Sequence, residues 1–535
     1  MPELTVILKE GEHRIPFVPG QSLRDILDTT DVRVRSGCRG MGACGLCRVR
    51  IEAGKVGEPT PNEQVHLGST QLAQGIRLAC QVMAEQDLQI VLLAPAPESD
   101  WRSLPDGGRQ RVKRSAPFSL KGMPQQVENP YGVAVDLGTT HINLSLYELS
   151  GGQCLGDRYG LNPQMDFGSD VMTRLVAASE SPEQGRTLGR QVVKAIGEGL
   201  LDIATREGIN LQQVVRLILV GNTAMLALLS GRNYGLLLQP SHWMSAIDCL
   251  PTDTESWAES WDIHPQARIE VIPPLGGFVG SDLLAGVVAT GLTENGGGSL
   301  FIDFGTNSEI ALWDGEVLWV TSAAGGPAFE GSGISCGLPV APGAIYRVSL
   351  QDGALDYAII AGSEPHGLCG SGLVDLIANL IRSGTLSNMG RFTPTVPKEG
   401  FALVRDNRDI VLTKRDVDVF QRAKAAIGVG IEVLLAQAGM GGKDLRRICV
   451  GGAFGRFLDV ANAQEIGLLP MIQPDLVELC GNTALAGCED MLLSPVVVER
   501  LKRLGNEARV INLSQCLDFD DIFFENLYLQ PNREK

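Results

Sequence analysis

Four cysteines and a turn that occurs twice carry most of the reactive chemistry of this 535-residue chain. The cysteines fall as Cys38-x5-Cys44-x2-Cys47, with 32 residues before Cys80. Glycines at 37, 40, 42 and 45 surround the first three. Thiolates in this pattern bind metal, and two chemistries compete for them. A zinc site usually takes two Cys-x2-Cys pairs, or Cys with His, so that each pair grips one edge of a tetrahedron. Only one such pair is present here. The spacing points instead to one [2Fe–2S] cluster, in which a loop wraps three thiolates and a distant strand end supplies the fourth. Glycine lets the backbone bend closely around the cluster and aim N–H groups at its sulfurs.

The second chemistry is nucleotide binding. YGVAVDLGTT sets Asp136, Gly138, Thr139 and Thr140 on a sharp turn after a buried strand, and SLFIDFGTN repeats the pattern with Asp303, Gly305, Thr306 and Asn307. Each copy is followed by another strand, a glycine turn and a helix: RLILVGNTAMLALL from Arg216 and RRICVGGAFGRFL from Arg446. A strand–turn–strand hairpin presents N–H groups and threonine hydroxyls to phosphate oxygens, while Asp136 and Asp303, the candidate catalytic carboxylates, can hold Mg2+ through water. Two facing copies make a cleft for ATP. Gly451 and Gly452 let a nucleoside approach the backbone, Phe454 borders it, and Gly326 joins the cofactor-binding set at the head of GPAFEGSGISCG. The chain has no Walker A sequence and no Gly-x-Gly-x-x-Gly after a strand.

These loops need scaffolds, and the chain is longer than one core of about 250 to 300 residues supports. LTVILKEGEHRIPFVPGQSLRDILDTT reads as strand, turn, strand and a short amphipathic helix from near Ser22. The cysteine loop resembles that of adrenodoxin-like ferredoxins, where the first gap is five residues, which predicts a β-grasp module over 1–93. Six prolines and six Lys or Arg residues between Ala94 and Pro130, with little apolar periodicity, predict a linker over 94–130. The duplicated motif predicts a two-lobed α/β ATPase of the actin/Hsp70/sugar-kinase type, with RNase H-like lobes at 131–295 and 296–535. TENGGGS, Thr293 to Ser299, marks the boundary between the lobes.

A net charge of −17 argues against nonspecific nucleic-acid binding, which needs clustered cations. No apolar run is long enough to span a bilayer and the N-terminus lacks a signal-peptide pattern, so the sequence places the protein in the cytoplasm, away from membranes. Between Val32 and Arg50 there are five arginines and no acidic residue. That collar is either a solvated loop or a surface that steers an acidic electron donor.

The parts together resemble the reductive activators of corrinoid enzymes over nearly the whole chain. Besides the cluster loop, the likeness rests on NPQMDFGSDVMTR from Asn162, GNTAM from Gly221, GGFVGSD from Gly276, GPAFEGSGISCG from Gly326, GLCGSGLVD from Gly367, QRAKAAIGVGI from Gln421 and GGAFGRFLD from Gly451. Ala227 stands where such proteins often carry a histidine. The resemblance implies an iron–sulfur ATPase that reduces inactive Co(II) to Co(I) in a corrinoid protein of a methyltransferase or O-demethylase system. It also implies a flavodoxin, ferredoxin or reductase as electron donor, and a possible homodimer. Two other classes fit part of the chain: a chaperone-like ATPase that reactivates a cofactor enzyme without redox chemistry, and a small-molecule phosphotransferase with an attached ferredoxin.

Overall fold

A computed structural model describes residues 2–8, 11–27, 29–30, 32, 34, 40, 42, 45, 47–93, 101–104, 127, 129–168, 170–207, 209–331, 333–351, 353–362, 364–405, 409–452, 454 and 456–532. The chain divides into two compact units, residues 1–101 with 160–192, and 102–159 with 193–535. Cys38, Cys44, Arg33, Arg35, Arg39 and most of the expected linker lie outside the described residues.

In the first unit, Gly11–Pro16, Glu3–Leu8, Leu88–Leu92, Arg48–Ala53 and Ile76–Leu78 form one mixed sheet in that spatial order. Glu3–Leu8 pairs antiparallel with its hairpin partner and parallel with Leu88–Leu92. Leu23, Ile26 and Leu27 of the expected short helix, Leu23–Leu27, pack with Leu4, Val6, Val49, Leu78 and Ile90 in a single core. Burying each such side chain contributes about 1.5–3 kcal/mol. The edge strand that leads to Cys80 is held by a buried ion pair: Arg77 Nε and Nη2 each donate to Glu63 at 2.8 Å, and Leu78 N donates to the same carboxylate at 3.0 Å. Burial alone would raise the Glu63 carboxyl, but the Arg77 hydrogen bonds, the Thr60 and Leu78 amides and the Arg77 charge together outweigh it and hold the group below the usual carboxylate range. Removing either partner of such a pair costs about 3–5 kcal/mol.

The same unit contains residues 160–192. Arg24 Nη2 donates to the Asp166 carbonyl at 3.1 Å, on the 3-10 turn Pro163–Phe167. Asp170 and Arg174, four residues apart, each find backbone partners. Asp170 caps the helix Val171–Ser179 by accepting from Thr173 N, and buried Arg174 donates to the Gly168 carbonyl at 2.8 Å.

The second unit repeats one arrangement. Tyr131–Leu137 pairs antiparallel with His141–Glu148 and parallel with Val214–Gly221, which pairs parallel with Arg268–Val271. Ser299–Phe304 likewise pairs antiparallel with Ser308–Trp313 and parallel with Arg447–Gly452, which pairs parallel with Val477–Gly481. Val214–Gly221 is buried at every position, as a parallel strand covered on both faces must be. The helices Ser281–Ala289 and Thr483–Leu493 cross at Gly487, where a Cβ would lie 2.0 Å from the Ala285 carbonyl oxygen. Only glycine fits there.

Candidate functional site

The two Asp-x-Gly-Thr turns sit at the same place in the two halves, between the first and second strands of each sheet, and they meet. Thr140 Oγ1 and Thr306 Oγ1 lie 3.5 Å apart. A carboxylate absent from the sequence-based site set joins them: Glu330 Oε2 accepts from Thr306 Oγ1 at 2.8 Å and from Thr140 Oγ1 at 3.2 Å. The first turn is closed by Gly138 N donating to the His141 carbonyl at 2.9 Å, and a Cβ on Gly138 would sit 2.8 Å from that oxygen. The His141 ring packs edge-on against Tyr159. Burial lowers its pKa and favours the neutral ring.

Neighbouring segments supply the supports. Asn222, from GNTAM, caps the helix Thr223–Ser230 and donates through Nδ2 to Thr139 Oγ1 at 2.8 Å. Asn482 does the corresponding work in the other half: it caps Thr483–Leu493 and donates to Asp136 Oδ2 at 3.1 Å, while Asn143 reaches the same oxygen at 2.9 Å. Thr483 Oγ1 lies 3.5 Å from Asp303 Oδ2.

The charges are concentrated. Burial raises the Asp136 carboxyl above the ordinary carboxylate range, and the two asparagine hydrogen bonds only partly oppose it. Burial, then the nearby Asp136, pushes Asp303 up to about 7, with Glu330 adding to the rise. Asp282, at the end of GGFVGSD, is raised by burial and by both aspartates, and Glu309 is raised by burial, Asp282 and Asp303. Carboxyls crowded together in low dielectric favour an added cation. Mg2+ with a nucleotide therefore fits the residues present.

Gly451 and Gly452 lie where the second lobe's parallel strand ends beside Asp303. Gly452 has φ of 80°, and a Cβ there would come within 2.1 Å of the Phe304 carbonyl oxygen and 2.7 Å of Asp303 Oδ1. Phe454 is buried beneath this loop, with ring centroids 4.9 Å from Phe304 and 5.0 Å from Phe329. Gly305 begins the second turn, and a Cβ there would be 3.1 Å from the Asn307 carbonyl oxygen. Gly326, with φ of 75°, precedes the 3-10 turn Pro327–Glu330 that carries Glu330.

In the first unit, Cys47 and Cys80 converge, their sulfurs 3.4 Å apart and both side chains buried. Gln81 Nε2 approaches Cys80 Sγ at 3.6 Å and the Gly40 carbonyl oxygen at 3.4 Å. Gly40, Gly42 and Gly45 all have φ between 65° and 89°. A Cβ at Gly42 would meet Asn62 at 2.6 Å, and one at Gly45 would meet His66 at 2.8 Å. Convergent thiols inside a glycine-lined cradle fit a cluster. The Arg24 guanidinium borders this cradle, 3.0 Å from where a Gly40 Cβ would stand.

Cys449 and Cys480 also approach each other, with Glu478 beside them. Arg447 engages Glu478 through two hydrogen bonds of 2.7 and 2.8 Å.

Comparison with known proteins matches three families along the chain: a 2Fe-2S iron-sulfur cluster binding domain at 6–85, the RACo middle region at 131–295, and the C-terminal domain of RACo, the ASKHA domain, at 298–535. A solved structure of a reductive activator for corrinoid, iron-sulfur protein aligns over 99% of this chain and 98% of its own, with a TM-score of 0.69 and 26% identity. The chain belongs to the RACo family. The corrinoid activation enzyme RamQ of Eubacterium limosum is 35% identical over 388 residues, which are 68% of this chain and 64% of that relative. The chain thus spans less than two thirds of that relative's length. The [Co(II) methylated amine-specific corrinoid protein] reductase of Methanosarcina barkeri is 27% identical over 75% of this chain and 76% of its own. As a RACo-family chain it carries a ferredoxin-type [2Fe–2S] domain followed by an ASKHA domain that binds ATP with Mg2+, the fold class expected from the sequence. Among the described residues no helix is long and apolar enough to cross a membrane.

Proposed function

We propose that this protein is an ATP-dependent reductive activase that returns a corrinoid protein of a methyltransferase or O-demethylase system from Co(II) to Co(I). The observation that carries the reading is the meeting of two phosphate turns, Thr140 against Thr306, in a chain whose other unit brings Cys47 and Cys80 together in a glycine cradle. A bound [2Fe–2S] group supplies one-electron carriage. Cys38, Cys44, Cys47 and Cys80 hold it, and Gln81 points a donor at one ligand sulfur. Asp136 and Asp303 hold the nucleotide's cation, Thr139, Thr140 and Thr306 face its phosphates, and Asn222 and Asn482 fix the first turn from the side. Gly138, Gly305, Asn307 and Gly326 shape the phosphate side; Gly451, Gly452 and Phe454 shape the nucleoside side.

An electron-donor protein such as a flavodoxin, ferredoxin or reductase feeds the first unit in the cytoplasm, and the working form is a homodimer. The functional divisions are 1–93, 94–130, 131–295 and 296–535. The test is anaerobic reduction of an oxidised corrinoid protein by wild type and by Cys80→Ala. The variant is expected to bind MgATP and yield no Co(I). Full Co(I) formation by the variant would mean that the electron reaches cobalt directly from the added reductant and not through the cluster, which favours a chaperone-like role without redox chemistry of its own.

A further inference from the structure

We propose that Glu330 is the latch of the nucleotide site: without nucleotide its carboxylate fastens the two phosphate turns together, and the terminal phosphate of ATP must displace it. The inference rests on the ATP-site reading and adds a state of that site. One carboxylate oxygen, Oε2, accepts from both Thr306 Oγ1 and Thr140 Oγ1, at 2.8 and 3.2 Å. A phosphate oxygen is an acceptor of the same kind, and these hydroxyls are the donors that the duplicated turn presents to it. The two anions therefore compete for one pair of donors. Repulsion sharpens the competition, because Glu330 already stands close enough to Asp303 to help push that carboxyl upward. A phosphate arriving beside both would meet two negative neighbours, and withdrawal of Glu330 removes one of them.

The latch belongs to neither turn. It sits on the 3-10 turn Pro327–Glu330, between Gly326, at φ 75° and ψ 172°, and Gly331, which is left-handed at φ 79° and ψ 8°. Its neighbour Phe329 is buried and packs edge-on against Phe304 at 5.7 Å and Phe420 at 5.5 Å, and at a tilt against Phe454 at 5.0 Å. Those three rings belong to the strand before the second phosphate turn, to the long helix Lys414–Gln437, and to the nucleoside loop. On the other side, a Cβ on Gly331 would fall 2.5 Å from the Leu338 carbonyl, so the turn is packed directly on the chain that follows. Displacing Glu330 therefore pulls on an aromatic joint shared by these elements, and the exchange of carboxylate for phosphate reports nucleotide occupancy to residues 327–338.

The test is MgATP titration of the full chain by calorimetry, with wild type, Glu330→Ala and Glu330→Gln, together with hydrogen exchange of the wild type. Removing the competitor from a site latched about nine-tenths of the time tightens apparent ATP affinity about 10-fold. Glu330→Ala is expected to show this, and Glu330→Gln, which keeps an acceptor without the charge, to fall between. In the wild type, MgATP is expected to speed amide exchange across 327–338. Unchanged or weaker ATP affinity in Glu330→Ala overturns the latch, because a residue that helps hold the cation or merely supports the fold does not oppose binding. If Glu330→Ala does not fold, Glu330→Gln and the wild-type exchange decide, and unaltered exchange in 327–338 overturns it. A wild-type chain with no MgATP affinity overturns the ATP site itself and the latch with it, a failure separable from loss of the latch alone.

Discussion

Asp136 has two asparagine donors on one oxygen, and they lower a carboxyl that burial raises. Asn482 is the informative one, because its side chain also caps a helix by accepting from Leu485 N at 2.9 Å. Asn482→Asp keeps the capping oxygen and replaces the donor with a like charge. Asp136 then rises further, and the acid limb of the ATPase pH profile moves to higher pH by about one unit. A limb that stays in place or moves down would show that Asp136 does not control hydrolysis. The Asp-x-Gly-Thr residues were legible in the sequence because all their functional atoms lie within five positions of each other. Glu330, Asp282 and Glu309 were missed for the converse reason. Each is a single acid in a glycine-rich or apolar stretch, and only the folded chain brings it to Asp303. GGFVGSD and GPAFEGSG were visible as motifs, but nothing in their spacing distinguished a site carboxylate from loop polarity.

At the scale of elements, two glycines of the proposed nucleotide site separate backbone conformation from space. Gly452 needs both a positive φ and the absence of a Cβ against the Phe304 carbonyl, whereas Gly326 needs only the φ, with open space where a Cβ would go. Gly326→Ala is expected to cost about 1–3 kcal/mol, the usual penalty for a side chain held in a region that only glycine populates readily. Gly452→Ala adds a backbone clash and must shift the strand end, so it is expected to cost more and to abolish measurable ATP hydrolysis. Thermal unfolding and ATPase rates check the order, and equal effects would mean that the loop yields freely. The hairpin–helix repeat was legible because buried strands and Asp-x-Gly, Gly-Asn or Gly-Gly turns are local signals. The grouping of 160–192 with the N-terminal unit was not, since the Arg24 contact to the Asp166 carbonyl joins residues 142 apart in sequence.

For the molecule as a whole, the acid cluster sets a pH dependence. Asp303, at about 7, and Asp282 sit above their ordinary range, so the folded chain keeps protons there that the unfolded chain has released. That contribution to stability is complete below the ordinary carboxylate range and is lost as pH rises through about 7. The nucleotide-free second unit should therefore melt at progressively lower temperature from pH 6 to pH 8, and MgATP should flatten the trend by supplying the missing cation. A melting temperature that rises over this interval without nucleotide would contradict the cluster. The same site must also answer for energetics. A plant-type cluster sits near about −400 mV, while inverting a 1:99 conformational equilibrium takes about 5.5 kcal/mol. That is equivalent to roughly 240 mV for one electron, enough for ATP occupancy to bias an unfavourable reduction. The most direct measurement is the Co(I) absorption spectrum of an oxidised corrinoid protein, recorded anaerobically with this protein and a low-potential reductant, with and without MgATP. Co(I) is expected only when MgATP is present; equal Co(I) in both samples would mean that the nucleotide does not drive the reduction.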